Sequence, residues 1–76
     1  MTKTTKKSLY KVSKMTKNTD KNLWVAFPVG KINSGLVYNS FLSRDTVRSI
    51  ARKELGAKSI AEIRSCRVST YRKRTK

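Results

Sequence analysis

The chain has 76 residues, and its 19 lysine and arginine residues against 4 acidic residues give a formal net charge of +15. This length allows one small domain, and such a charge opposes compaction unless a polyanionic partner neutralises it. The absence of histidine excludes Ser/His and Cys/His catalysis, the single cysteine excludes an internal disulfide or a thiolate metal cluster, and no stretch approaches the ~20 apolar residues of a membrane span.

The charge is unevenly distributed along the chain. Residues 1–21 carry seven lysines, residues 22–43 carry only Lys31, and residues 44–76 carry eleven basic residues. The nearly uncharged middle predicts the core, and the two basic ends predict binding surfaces.

The first predicted elements follow a basic arm. Residues 1–8 are rich in Thr and Lys and are expected to be disordered. Residues 9–15 alternate weakly between apolar and polar side chains, which is consistent with an extra strand or with tail. A clear strand is predicted over 23–29, with Val25 and Phe27 on one face and Trp24 and Ala26 on the other. Pro28 ends this strand or places it at an edge.

A hairpin and a helix are predicted next. The connection 30–35 contains two glycines suited to positive φ, and a second strand is predicted over 36–42. Ser43 is a candidate N-cap and Asp45 suits the first turn of a helix. Gly56 is placed where a left-handed cap ends a helix. The helix presents an apolar stripe at helical spacing, made of Val47, Ile50, Ala51 and Leu55.

The last part of the chain predicts a loop or a single turn over 57–61, with Ile60 turned inward, a strand over 62–72 and a basic tail over 73–76. The predicted fold is therefore α+β, a small, mainly antiparallel sheet with one helix packed on it in the order ββαβ, with or without the extra N-terminal strand. Residues 9–72 are expected to form the single domain.

The helix carries the first candidate binding residues. Arg44, Arg48 and Arg52 recur every four residues and so share one side of the helix, with Lys53 beside them. Such a ridge can contact phosphates or enter a major groove, but it is also typical of a solvated helix face. Arginine binds phosphate or carboxylate bidentately through its planar fork.

The C-terminal region carries the other candidates. Tyr71 offers an aromatic ring for stacking on a base, or it completes the edge of the core. Trp24 is either an exposed interface residue or packs on the segment around Tyr10. The basic candidates near Tyr71 are Arg64, Arg67, Arg72, Lys73 and Arg74.

These patterns predict a small, basic, non-enzymatic protein that binds nucleic acid through its phosphates, DNA in preference to RNA and with little sequence preference. The alternative is an inhibitor or modulator that docks on an acidic surface of a host enzyme or nucleoprotein complex. Neither hypothesis involves a cofactor, a metal, a small-molecule substrate or a membrane. The expected location is the cytoplasm, which is that of the host cell if a phage encodes the protein.

The layout of residues 23–71 resembles small phage-encoded host-takeover proteins such as the family of the short coliphage RNA-polymerase inhibitor. The shared features are the aromatic-bearing strand Leu23-Trp24-Val25, the Gly-containing hairpin, the Ser/Asp-started helix, and a strand that carries Arg64, Cys66 and Arg67. The resemblance implies a protein that binds and blocks a host machine, with Arg64 and Arg67 as contacts to an acidic protein surface.

Overall fold

A computed structural model describes residues 8–75 of the chain. They form a four-stranded antiparallel sheet in the order β1-β3-β2-β4, together with two α-helices. The predicted α+β class is confirmed, with one helix more than expected. The elements in chain order are β1 (Tyr10–Lys11), β2 (Trp24–Pro28), β3 (Leu36–Tyr38), α1 (Arg44–Leu55), β4 (Ile63–Arg67) and α2 (Val68–Arg74).

The N-terminal strand is present but short. β1 pairs with β3, and a single 3-10 turn over Val12–Lys14 follows it, so residues 9–15 are only in part a strand. The predicted disordered arm over 1–8 lies outside the described residues except for Ser8. The backbone N–H and the hydroxyl of Ser8 donate to the two carboxylate oxygens of Glu54, both at 3.1 Å.

β2 is one of the two inner strands, because it pairs with β3 on one side and β4 on the other. Pro28 pairs only with Ile63, beyond the end of β3, so its missing N–H removes no bond to β3. In the β2–β3 connection Gly30 has the expected positive φ of 84°. The expectation of a positive φ at Gly35 is wrong, since its φ is −82°. Gly35 is needed for space instead, because a Cβ there would lie 3.0 Å from the carbonyl oxygen of Ala26.

α1 begins and ends where the sequence predicts. The Ser43 hydroxyl oxygen accepts a hydrogen bond from the Thr46 N–H at 3.1 Å, and Gly56 adopts the left-handed conformation with φ of 72°. Val47 and Ala51 are fully buried against one face of the sheet. The sheet residues of that face are Trp24, Ala26, Leu36, Tyr38 and Ile63.

α1 therefore covers the face of β2 that carries Trp24 and Ala26. Trp24 is half-buried beside the α1 core, so it neither lies exposed nor packs on the segment around Tyr10, which belongs to the other face. The indole N–H of Trp24 donates to the carbonyl oxygen of Leu42 at 2.8 Å. The strand predicted over 36–42 ends at Tyr38, and residues 39–43 lead into α1. Both faces of β2 carry apolar side chains, so alternation alone could not assign the helix to one of them.

α2 covers the second face of the sheet. Its Val68 and Tyr71 pack against Val25, Phe27 and Val37. The strand predicted over 62–72 is wrong beyond Arg67, and the tail predicted over 73–76 is wrong for residues 73–74, which belong to the helix. The spacing of the two core residues in α2 is three, which is helical and not the even spacing that puts strand residues on one face.

The segment before β4 contains a single turn, as one of the predicted alternatives has it, but Ile60 is not turned inward. Ile60 lies in a 3-10 turn over Ile60–Glu62 and remains 38% exposed, whereas Ile63 is fully buried. The core thus takes its isoleucine from the first residue of β4. Within residues 8–75, no helix is both long enough and apolar enough to cross a membrane.

Candidate functional site

β4 is an edge strand, because it stands at the end of the sheet order and pairs only with β2. In an antiparallel pair, alternate residues direct both backbone groups towards the partner strand or away from it. The carbonyl of Glu62 accepts from Val29 of the β2 side, so the backbone groups of Ile63 and Ser65 face away from β2. The Ile63 N–H donates to the carbonyl of Ile60 and the Ile63 carbonyl accepts from Arg48, so of these two residues only Ser65 offers its backbone groups at the free edge. An edge of this kind offers hydrogen-bonding groups to whatever approaches it.

A cavity of about 310 Å³ lies along this edge. Four arginine side chains from three elements line it: Arg44 and Arg48 from α1, Arg64 from β4 and Arg74 from α2. We call this feature the arginine cavity. Its remaining lining residues are Phe27, Ala61, Ile63, Ser65 and Cys66.

The four arginines are not equally free. Arg48 is half-buried, and its guanidinium donates to the backbone carbonyls of Ile63 at 3.1 Å and Ile60 at 3.0 Å. It therefore fixes α1 to the start of β4 while it contributes charge to the cavity. Arg44, Arg64 and Arg74 are exposed, and their guanidinium groups are available to a ligand.

None of the residues that line the arginine cavity is acidic. Guanidinium groups stay protonated at all ordinary pH values, so the four charges are permanent. A concave surface lined by one sign of charge concentrates the electrostatic potential and attracts counter-ions. The cavity is therefore built to receive an anion.

The pKa of the Cys66 thiol is affected by two of the same arginines. Burial raises the pKa of the Cys66 thiol, and the nearby Arg74 and Arg44 oppose that rise. Burial prevails, so the group is a neutral thiol at neutral pH and not an activated nucleophile. The arrangement supports anion binding.

Ser65 is the polar residue in the lining without a charge. Its hydroxyl is buried and has no hydrogen-bond partner in the described part of the chain. A buried donor left without an acceptor costs on the order of 1–3 kcal/mol.

The remaining candidates on α1 lie away from the cavity. Arg52 is half-buried and donates to the carbonyl of Ala57 at 3.4 Å, next to the end of the helix. Lys53 is exposed. Because Arg48 and Arg52 both bind backbone carbonyls, the predicted ridge of three arginines is not a freely solvated surface.

The other C-terminal candidates also have separate positions. Arg67 donates to the carbonyl of Asn22 and lies over the ring of Trp24. Tyr71 is buried, its ring centroid lies 6.0 Å from that of Phe27, and its hydroxyl donates to the carbonyl of Ile32 at 3.0 Å, so the ring is part of the core.

Two basic residues of α2 complete the set. Arg72 donates to the carbonyl of Thr16 and so ties the helix to the N-terminal segment, whereas Lys73 is exposed. The structure thus brings together four of the ten predicted residues. The six that lie elsewhere are Arg52, Lys53, Arg67, Tyr71, Arg72 and Lys73.

Sequence reasoning missed Ser65 and Cys66 as parts of the site. The register of β4 on β2 puts Cys66 opposite Val25 and Ser65 opposite Ala26, so the two side chains flank the edge from opposite faces. The sequence signal that could have revealed the site is the helical spacing of Val68 and Tyr71. A helix at this place brings Arg74 back to the edge of the sheet, whereas a continued strand does not.

The described residues contain no cluster of three or more His, Cys, Asp or Glu side chains that could hold a metal ion. Comparison of the whole chain with protein-family models, with curated proteins and with solved structures finds no match.

Proposed function

We propose that the protein binds nucleic acid through phosphate contacts, duplex DNA in the first place and with little sequence preference. The observation that carries this proposal is the convergence of four arginines on one cavity without an acidic neighbour in the lining. Phosphate contacts supply most of the affinity in non-specific binding, and arginine is well suited to make them.

The surroundings of the arginine cavity support a nucleic-acid partner over a small isolated anion. The net charge of +15 gives the molecule a long-range attraction to polyanions. Exposed lysines continue the positive surface, among them Lys73 next to Arg74 on α2. A backbone that carries one phosphate after another can contact the cavity and these lysines together.

The test is a mobility-shift or anisotropy titration of a short DNA duplex, with a matched RNA duplex, over a series of salt concentrations. We expect binding with Kd of roughly 10⁻⁶ to 10⁻⁴ M at near-physiological salt and a linear log–log salt dependence. No binding of either nucleic acid in this concentration range would contradict the proposal.

Two variants with equal charge loss locate the interface. Arg44→Ala, Arg64→Ala and Arg74→Ala together remove the three exposed arginines of the cavity. Lys31→Ala, Lys53→Ala and Lys58→Ala remove three exposed lysines that do not line it. We expect the arginine variant to reduce the salt slope by about 0.9 per lost phosphate contact, and the lysine variant to change it less. Equal effects would place the interface elsewhere.

The second candidate function is docking on an acidic protein surface. The observation that favours it is the exposure of Arg64 on a free sheet edge, where a partner strand can add to β4. Arg67, the other residue implied by the phage-protein resemblance, is held by Trp24 and Asn22. Affinity capture from a nuclease-treated lysate tests this function, and loss of every protein partner on nuclease treatment would contradict it.

A further inference from the structure

We propose that the arginine cavity is a site for a phosphomonoester, namely the terminal phosphate of a nucleic-acid strand. This inference rests on the proposed nucleic-acid binding and adds that the protein prefers a phosphorylated strand end to the interior of a strand. Four features of the cavity support it: its charge, its donors, its size and its position.

The charge of the arginine cavity exceeds what an internal phosphate can neutralise. A phosphodiester carries one negative charge, whereas a phosphomonoester carries about 1.5 to 2 at neutral pH. Three exposed guanidinium groups and the half-buried Arg48 face the same volume. The more highly charged group therefore gains more from this site.

The donors of the cavity point to the same group. A terminal phosphate presents three acceptor oxygens, compared with the two free oxygens of an internal phosphate. Arg44, Arg64 and Arg74 approach from three different elements, so each can reach a different oxygen. The edge strand adds the outward backbone N–H of Ser65.

The size and position of the cavity favour a chain end. A volume of about 310 Å³ lies at the low end of the range for small-ligand sites, which is enough for a phosphate and the sugar attached to it. Phe27, Ala61 and Ile63 line the cavity together with the β4 edge. A strand that continued in both directions would have to leave the cavity twice, whereas a strand end enters it once.

The test compares oligonucleotides of one sequence that carry a 5′-phosphate, a 3′-phosphate or hydroxyl groups at both ends. We expect at least one phosphorylated oligonucleotide to bind about tenfold more tightly than the hydroxyl form, as one added charge-assisted hydrogen bond implies. Inorganic phosphate at millimolar concentration should remove this preference more readily than it removes binding itself.

Matched variants assign the preference to the cavity. Arg44→Ala with Arg74→Ala should abolish the preference for a phosphorylated end, and Lys31→Ala with Lys58→Ala should keep it. Circular dichroism verifies that both variants are folded.

The outcomes separate the two proposals. Equal affinity for the three oligonucleotides, with tight salt-dependent binding of each, would overturn the end-binding site and leave nucleic-acid binding intact. Failure of all three to bind would remove both proposals. A preference that survives loss of Arg44 and Arg74 would also overturn the site.

Discussion

The guanidinium carbon of Arg67 lies 3.8 Å from the centroid of the Trp24 ring, and the two residues are opposite each other on β4 and β2. Arg67 also donates to the carbonyl of Asn22, and the Trp24 indole donates to the carbonyl of Leu42. The pair thus links the edge strand β4, the inner strand β2 and the segment before α1. Arg67 therefore has primarily a structural role.

Arg67→Ala should lower the free energy of unfolding by about 1–2 kcal/mol, since it removes a cation–π contact and a charge-assisted hydrogen bond. Urea denaturation followed by circular dichroism measures this. Arg64→Ala is the matched control on the same strand, because Arg64 is exposed, and we expect it to change stability by less than about 0.5 kcal/mol. Equal stability of the two variants would contradict the role assigned to Arg67.

Within α1, Arg48 should contribute to stability and Arg44 should not, as with Arg67 and Arg64 on β4. Arg48→Ala removes two hydrogen bonds to backbone carbonyls of the segment 60–63, and we expect a loss of about 2 kcal/mol in unfolding free energy. Arg44→Ala should leave stability nearly unchanged and weaken DNA binding. Thermal unfolding and anisotropy titrations on both variants test whether Arg48 stabilises the fold and Arg44 binds DNA. If Arg44→Ala destabilises the fold as much as Arg48→Ala, this division of roles is wrong.

Tyr38 should make the protein sensitive to alkali. Burial and the hydrogen bond to the Glu54 carboxylate raise the pKa of the fully buried Tyr38 hydroxyl above its usual value. Above the unfolded pKa of about 10 the unfolded state has released this proton while the folded state retains it, so stability is complete below pH ~10 and falls as pH rises further.

Tyr38→Phe is the corresponding variant. It should lose about 1 kcal/mol of stability at pH 7, because the hydrogen bond to Glu54 is absent, and it should show a smaller decrease in stability between pH 9 and pH 11. Denaturant midpoints measured over this pH range for both proteins provide the measurement. Parallel curves for the two proteins would show that another group causes the alkaline loss.

Cys66 should react slowly with neutral alkylating reagents. Since burial raises the pKa of its thiol, the alkylation rate at pH 7 should be well below that of the same protein unfolded in denaturant, and its rise with pH should be displaced to higher pH. A phosphorylated oligonucleotide should slow the reaction further, because its charge disfavours the thiolate. Reaction as fast as in the unfolded chain would contradict the burial of Cys66 in solution.

The sequence was most informative where one residue type has one local role. α1 begins after Ser43 and ends before Gly56, as predicted. Both ends could be predicted because a side-chain N-cap and a left-handed glycine are determined by the local sequence of the helix. The side of the sheet that α1 covers depends instead on which of two apolar faces of β2 it meets. Trp24 and Val25 are both acceptable core residues, so tertiary packing decided between them.

The sequence identified the arginines of the site but did not show that they lie together. Arg44, Arg48, Arg64 and Arg74 were all recognised as candidates, yet they were divided between a helix ridge and a basic strand with a tail. Their convergence depends on the turn from β4 into α2 at Arg67 and Val68, which reverses the direction of the chain and returns Arg74 to the sheet edge. The continuous basic composition of residues 64–74 concealed that turn.

The second face of the sheet has a consequence for synthesis of the chain. The hydrophobic core on this face contains Tyr10 and Val12 together with Val68 and Tyr71. The first two residues are synthesised early, and the last two are synthesised after all other residues of this core. While α2 is still inside the ribosome, Val25, Phe27 and Val37 have no helix to cover them. We therefore expect the nascent chain to expose an apolar sheet face until Tyr71 emerges, and to complete its fold only after that point.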